Sequence, residues 1–319
     1  MEKILEIQNL KKYFPIKRGF WKKTVGYVKA IDDIDIDMYP GEALGLVGES
    51  GSGKTTAGRS ILRLIEPTEG RILYRDTDIL NLNKEAMRSL RSKMQMIFQD
   101  PYASLNPRLR IVKCIAEPLL HHSSISRQEA EDRAYELLLD VGLNEEFGYR
   151  FPHQLSGGQR QRVGVARALS LNPDIIIADE PVSALDVLVQ AQILNLFMDL
   201  KAKYDLTYLF ITHDLGVVRH VCDRIAVMYL GKIVEVADTE LLFDKPLHPY
   251  TEALISAIPT THDVKRTRVV LEGDIPSPSN VPEGCGFCTR CPKKMDVCER
   301  VRPKLTEVDG RKVSCHLYN

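Results

Sequence analysis

No sign of charge prevails in this 319-residue sequence, because 43 Lys and Arg offset 43 Asp and Glu. Bulk charge therefore gives no support for a nucleic-acid partner or for adsorption to an anionic membrane. No apolar run approaches the ~20 residues that a membrane-spanning helix requires. The opening MEKILEIQNLKKYF scatters acids among its bases and lacks the apolar core of a secretion signal. These absences predict a cytoplasmic protein, any membrane role of which must come through a partner. Internal repeats and sustained heptads are also missing, which leaves no basis for a repeat array or a long coiled-coil insert. Cysteine is sparse until late: Cys114 and Cys222 stand alone, and Cys285, Cys288, Cys291, Cys298 and Cys315 crowd the last 35 residues. A disulfide framework does not suit a reducing compartment, so the clustered thiols lean toward metal.

What is present is ordinary in bulk, with 44% hydrophobic and 27% charged residues, as in globular proteins. LEIQNL from Leu5 alternates like a strand, residues 15–29 read as a basic loop with Gly and aromatics, and AIDDIDIDMYPGE reads as a strand and turn. ALGLVG then runs into a Gly-rich turn followed by TTAGRSILRLI at helical spacing. Residues 108–150 are mostly helix-like and interrupt an alternation of strands and helices. Beyond them lie a helix from about Gly157, the strand DIIIAD, a helix over about 187–204, the strand TYLFIT, a helix over 215–221 and the strand RIAVMYL. Such alternation predicts an α/β fold with a mainly parallel sheet. From about Leu247 prolines accumulate, at Pro249, Pro259, Pro276, Pro278 and Pro282. That segment reads as an appendage of loops.

GESGSGKT, residues Gly48, Glu49, Ser50, Gly51, Ser52, Gly53, Lys54 and Thr55, fits G-x-x-x-x-G-K-[ST], with Thr56 following. Its glycines let successive backbone N–H groups converge on phosphate oxygens, and the helix that follows adds its positive end. Lys54 is placed to reach the terminal phosphates and the Thr55 hydroxyl to bind Mg²⁺. IIIADE ends an apolar strand in Asp179 and Glu180. Acids there face the crevice where ligands of open α/β sheets lie. Asp179 suits the Mg²⁺ shell, and Glu180 suits polarising an attacking water. LSGGQRQRVGVARAL from Leu155 opens a second helix at Ser156, Gly157, Gly158 and Gln159, whose plainer reading is a serine N-cap.

SGGQ lies 19 residues before Ala178, and this order and spacing resemble the ABC ATPases. The resemblance implies that the signature of one subunit closes over the γ-phosphate held by another, in a head-to-tail dimer. It assigns Gln99 in MIFQDP to the Q-loop, on Mg²⁺ and water. SALD, ending at Asp186, is assigned to the D-loop and His213 in FITHD to the switch histidine on the γ-phosphate. Phe14, with Tyr13 second, is the aromatic expected to stack on adenine. The implied fold is a P-loop NTPase of ABC type. It has a RecA-like core, an antiparallel β subdomain, an inserted α-helical subdomain at about 100–165, and a small Cys-containing C-terminal extension. The domains are 1–245 for the ATPase and 246–319 for the extension.

FQDPYASLNPR, PVSALDVLVQAQILNLF and KPLHPYTEALISAIP are similar to the ATPases of dipeptide and oligopeptide permeases. The context of Tyr102 and Arg108 resembles the second of their paired subunits. This implies an ATP hydrolase at the cytoplasmic face of the membrane, driving an importer of peptides, or alternatively of nickel, haem or another small solute. Its partners would be a second ATPase subunit, identical or related, two permease subunits and, indirectly, an extracytoplasmic solute-binding protein; nucleic acid is not among them. Cys285, Cys291, Cys298 and Cys315 match a family pattern that in some members binds a [4Fe–4S] cluster, with Zn²⁺ as the alternative. Cys288 departs from that pattern and leaves the choice of four ligands open. Two further readings are an ABC ATPase acting on ribosomes or DNA, and an iron or redox sensor with ATPase output.

Overall fold

The periodicities resolve into strands and helices over residues 2–258 and 269–318, which the computed structural model describes. The strands are β1 Leu5–Arg18, β2 Lys23–Met38, β3 Ala43–Val47, β4 Glu69–Tyr74, β5 Thr77–Asp78, β6 Met94–Ile97, β7 Ile175–Asp179, β8 Thr207–Thr212, β9 Arg224–Tyr229, β10 Lys232–Asp238, β11 Thr306–Val308 and β12 Arg311–Val313. The helices are α1 Lys54–Ile61, α2 Lys84–Arg91, α3 Pro101–Ser104, α4 Ile111–His122, α5 Arg127–Asp140, α6 Gly157–Leu169, α7 Val187–Tyr204, α8 Leu215–Val221, α9 Thr239–Asp244, α10 Pro249–Ser256 and α11 Val297–Arg300. Pro259 lies outside the described residues. No helix among the described residues is long and apolar enough to cross a membrane.

Chain contacts define two units. The first comprises Glu2, Tyr39–Ala43 and Asn81–Ile211. In it β6, β7 and β8 pair in parallel, Met94 opposite Ile175 and Asp179 opposite Ile211. All five residues of β7 are buried, as expected of a parallel strand covered on both faces. Helices α4, α5 and α6 pack on one another through apolar faces that include Ile115, Ala134, Leu138 and Val163. Helix α5 starts at a capping box, with Ser126 accepting from the Glu129 amide and Glu129 accepting from the Ser126 amide.

The second unit comprises Lys3–Met38, Leu44–Leu80 and the described residues from Thr212 onward. Strands β2, β1, β4 and β5 form an antiparallel sheet in that order. Residues 15–29, expected as a loop, are instead the far end of the β1–β2 hairpin, with Ile16 opposite Gly26 and Arg18 opposite Lys23. β-Branched and aromatic residues in TVGYV sustain the pairing where charge suggested a loop. Elsewhere in this unit β3 pairs in parallel with β9, and β10 and β12 follow antiparallel.

The C-terminal segment is more regular than its prolines suggested. Strands β11 and β12 form a hairpin on β10. Asp309 and Gly310 between them, with φ of 49° and 74°, supply the left-handed pair that a tight hairpin needs. Leu247, Val313 and Cys315 form a small apolar core there. Helix α10 presents Tyr250 to Tyr229 and Phe287, at ring-centroid distances of 4.6 Å and 5.4 Å.

Candidate nucleotide site

In the second unit the phosphate loop leaves β3 and enters α1 at Gly53, which is left-handed with φ of 106°. A Cβ on Gly53 would lie 2.0 Å from the Ala30 carbonyl oxygen, and one on Gly48 would lie 2.1 Å from that of Met228. Only glycine fits at either place, because real Cβ contacts are far longer. Lys54 is buried, and its Nζ donates to the loop's own carbonyls, 2.7 Å from Gly48 O and 2.9 Å from Glu49 O. The Glu49 amide donates to the Tyr250 hydroxyl at 2.9 Å. Thr55 and Thr56 lie in the first turn of α1.

Tyr13 and Phe14 sit in β1. Phe14 is exposed beneath Lys12, whose Nζ is 4.9 Å from the ring centre. Tyr13 is half-buried and donates its hydroxyl proton to Asp32. Burial opposes ionisation of Asp32, yet the Tyr13 hydroxyl, Lys232 and Arg302 outweigh it and hold the carboxyl below its usual range. Burial, then Asp32, push the Tyr13 phenol upward. His213 is exposed just past β8 and next to Asp214, which caps α8 by accepting from the Gly216 and Val217 amides.

In the first unit Asp179 is fully buried at the end of β7. Glu180 follows with φ of 46°, a left-handed conformation rare for a residue with a side chain. Its amide donates to Ile211 O at 2.8 Å. Its carboxylate accepts from Gln99 Nε2 at 2.8 Å, so residues 81 positions apart meet. Ser156 caps α6 reciprocally with Gln159, at 3.3 Å and 3.0 Å. The signature turn and the D-loop also meet. A Cβ on Gly157 would stand 3.3 Å from Leu185 Cδ2, and one on Gly158 would stand 2.5 Å from Val189 Cγ1. Asp186 caps α7 by accepting from the Val189 amide at 3.0 Å.

The five late cysteines all fall in the second unit. The Cys285 amide donates to Cys298 O, and the Cys288 amide to Cys285 O. Burial pushes the Cys285 thiol up to about 12, with Cys298, Cys288 and Cys315 adding to it. Burial also raises Cys288, Cys291 and Cys315. Among the described residues, no group of three or more His, Cys, Asp or Glu is arranged to hold a metal ion. The thiol chemistry suits a soft metal, but the placement of the side chains does not form a ligand set. Asp32, Arg290 and Arg302 touch these elements and carry no motif of their own, while Tyr250 lies within KPLHPYTEALISAIP. The one local signal is that Arg290 lies between Cys288 and Cys291.

A glycine-cradled lysine loop between a parallel strand and a helix defines a P-loop nucleotide-binding protein, and the Ser156–Gln159 turn that opens α6 marks the ABC type. The chain belongs to the ABC transporter family of ATP-binding proteins. The family described as ABC transporter matches residues 31–183. That described as oligopeptide/dipeptide transporter, C-terminal region, matches residues 234–298. The chain is 53% identical to the oligopeptide transport ATP-binding protein AppF of Bacillus subtilis, over 100% of this chain and 98% of AppF. It is 50% identical to the putative oligopeptide transport ATP-binding protein YkfD of the same organism, over 99% and 95% of the two chains. Among solved structures, the ATP-binding cassette MJ0796, a dimer in a post-hydrolysis state with ADP and Pi, is similar. It has 32% identity and a TM-score of 0.66, covering 74% of this chain and 98% of that one.

Proposed function

We propose that this chain hydrolyses ATP to power an importer of oligopeptides or dipeptides. The observation that carries the ATPase reading is the Gln99–Glu180 hydrogen bond at a left-handed turn beyond the parallel strand. It supports Glu180 as the carboxylate that polarises the attacking water. Support for the peptide class comes from the match of residues 234–298 and from the names of the relatives.

The triphosphate is assigned to Gly48–Thr56, with Lys54 exchanging its loop carbonyls for phosphate oxygens. Mg²⁺ is assigned to Thr55, Asp179 and Gln99, which supply the oxygen ligands it prefers. When bound, it neutralises charge on the transferring phosphoryl group. Glu180 orients water, and His213 steadies the γ-phosphate. Of the two aromatics we assign adenine stacking to Tyr13, since Asp32 fixes its ring. Ser156–Gln159 and Asp186 are assigned to the nucleotide of a partnering subunit, identical or related.

Residues 1–245 are taken as the ATPase domain. Its helices within about 100–165, here α3 to α6, form a helical subdomain docked on two permease subunits at the cytoplasmic face of the membrane. An extracytoplasmic solute-binding protein delivers the cargo. Residues 246–319 are the cysteine-bearing extension. A [4Fe–4S] cluster or Zn²⁺ on Cys285, Cys291, Cys298 and Cys315, with Cys288 as a substitute, is supported by spacing and thiol chemistry. Binding requires the side chains to converge. A visible absorption band in anaerobically purified protein would mark iron–sulfur.

The test is Glu180→Gln. It should bind ATP with unchanged affinity, lose about 10²–10⁴-fold in phosphate release, and run as a dimer in Mg-ATP on size-exclusion chromatography. Hydrolysis at the wild-type rate would sink the reading.

A further inference from the structure

Two arginines of the cysteine-bearing segment reach back to nucleotide-binding elements of their own unit. Arg290 meets Glu49 fork to fork, Nη1 to Oε2 at 2.8 Å and Nη2 to Oε1 at 3.1 Å. The pair is poorly solvated, with side-chain exposures of 8% and 25%. Bidentate geometry of this kind fixes direction as well as charge. Glu49 is the second residue of the phosphate loop. Its amide is held by Tyr250 and its carbonyl accepts from Lys54 Nζ. A shift of Glu49 therefore moves both the loop and its lysine. The aromatic cluster of Tyr229, Tyr250 and Phe287 supports the clamp, and the Tyr229 hydroxyl stands 3.4 Å from Arg290 Nη1.

Arg302 makes a parallel contact. Its Nη1 lies 2.8 Å from Asp32 Oδ2 and its Nε donates to Glu283 O at 3.0 Å. Asp32 is only 5% exposed and is the acceptor for the Tyr13 hydroxyl. Lys232 Nζ stands 3.6 Å from the same carboxylate. Arg302 is itself 37% exposed, and its loss leaves the buried Asp32 carboxylate to Lys232 and the Tyr13 hydroxyl alone, a change in partners to which the Tyr13 side chain must adjust.

We infer that Arg290 and Arg302 are positioning residues for the nucleotide. Arg290 acts through Glu49 on the triphosphate cradle, and Arg302 acts through Asp32 on the adenine platform. The C-terminal segment thereby sets the affinity for ATP. This rests on the reading that Gly48–Thr55 binds the phosphates and Tyr13 the base.

The two contacts predict different losses. Inorganic tripolyphosphate can engage only the cradle, whereas ATP engages both. Binding of fluorescent ribose-labelled ATP to the full chain, competed with ATP or with tripolyphosphate, separates them. Arg290→Ala should weaken both competitors by about tenfold or more. Arg302→Ala should weaken ATP similarly and leave tripolyphosphate within about twofold. In both variants KM should carry the change and kcat should not. Arg290→Lys, which keeps the charge and loses the fork, should recover part of the affinity.

If Arg290→Ala fails to fold by circular dichroism, Glu49→Gln removes the same charge pair and takes its place. Lys54→Ala is the control for the underlying reading. If the wild type binds no ATP, or binds it as well after Lys54→Ala, the nucleotide assignment fails. If Lys54→Ala abolishes binding but the arginine variants match wild type for both competitors, the positioning role is overturned. Equal losses for both competitors in both variants would mean a general structural role and would overturn it as well.

Discussion

At the scale of single residues, glycine separates what the loop demands from what it tolerates. Gly48 and Gly53 each abut a backbone carbonyl, and backbone cannot swing aside as a side chain can. Gly48→Ala and Gly53→Ala should therefore abolish nucleotide binding in an equilibrium assay. Gly51 has open space and a φ of 80°. Gly51→Ala should cost only about 1–2 kcal/mol from the left-handed backbone and still bind. Equal losses at all three positions would refute the steric distinction. The motif made these glycines legible, although the carbonyls that exclude a side chain at Gly48 and Gly53 come from Met228 and Ala30, far off in sequence. It did not disclose the left-handed backbone of Glu180, because glutamate has no propensity for it. Neighbouring structure imposes such conformations, and they concentrate where function needs an aimed side chain.

Among the elements, long ones were readable and short ones were not. Helix α7 and strand β8 have the bounds their periodicity predicts. The three-residue strands β11 and β12 are too brief for alternation to register, so only the Asp-Gly turn could have marked them. The β1–β2 hairpin end was obscured by charge, although its β-branched residues carried the signal. The start of α10 gives a pH prediction. His248 is buried and its Nδ1 accepts from the Tyr250 amide at 3.1 Å. Burial lowers its pKa from 6.5 to about 3.

Between those values the unfolded chain takes up a proton that the folded chain refuses. Stability is thus complete above pH 6.5 and is lost as pH falls toward 3. Glu235, which accepts from the Leu247 and His248 amides, works oppositely. Burial raises its pKa, so its contribution is lost as pH rises. His248→Asn keeps a capping acceptor and removes only the imidazole. Thermal melts of wild type should fall more steeply than those of His248→Asn between pH 6.5 and 4.5. Parallel curves would remove His248 as the cause.

Over the whole molecule, the linear order of motifs conceals which segments share a unit. The phosphate loop and the last hundred residues are separated by α2 to α7 in sequence, yet they belong to the same set of contacts. A chain stopped at residue 245 would lose β12 from β10, and both Tyr250 and Phe287 from Tyr229. We predict that this truncation melts several degrees lower or aggregates, measured by scanning fluorimetry. A truncated chain as stable as the full one would show that the first 245 residues fold without help. Composition gave no sign of this packing, since the prolines there read as an appendage of loops.

The lysine of the phosphate loop has partners within the chain, in the carbonyls of Gly48 and Glu49. On the proposed assignment, incoming nucleotide would displace those bonds before making its own, so the net affinity would be a difference between two satisfied states. The same balance would run in reverse once the γ-phosphate has gone. On that assignment the ammonium group would return to the peptide oxygens as ADP departs, easing product escape and resetting the chain for another cycle.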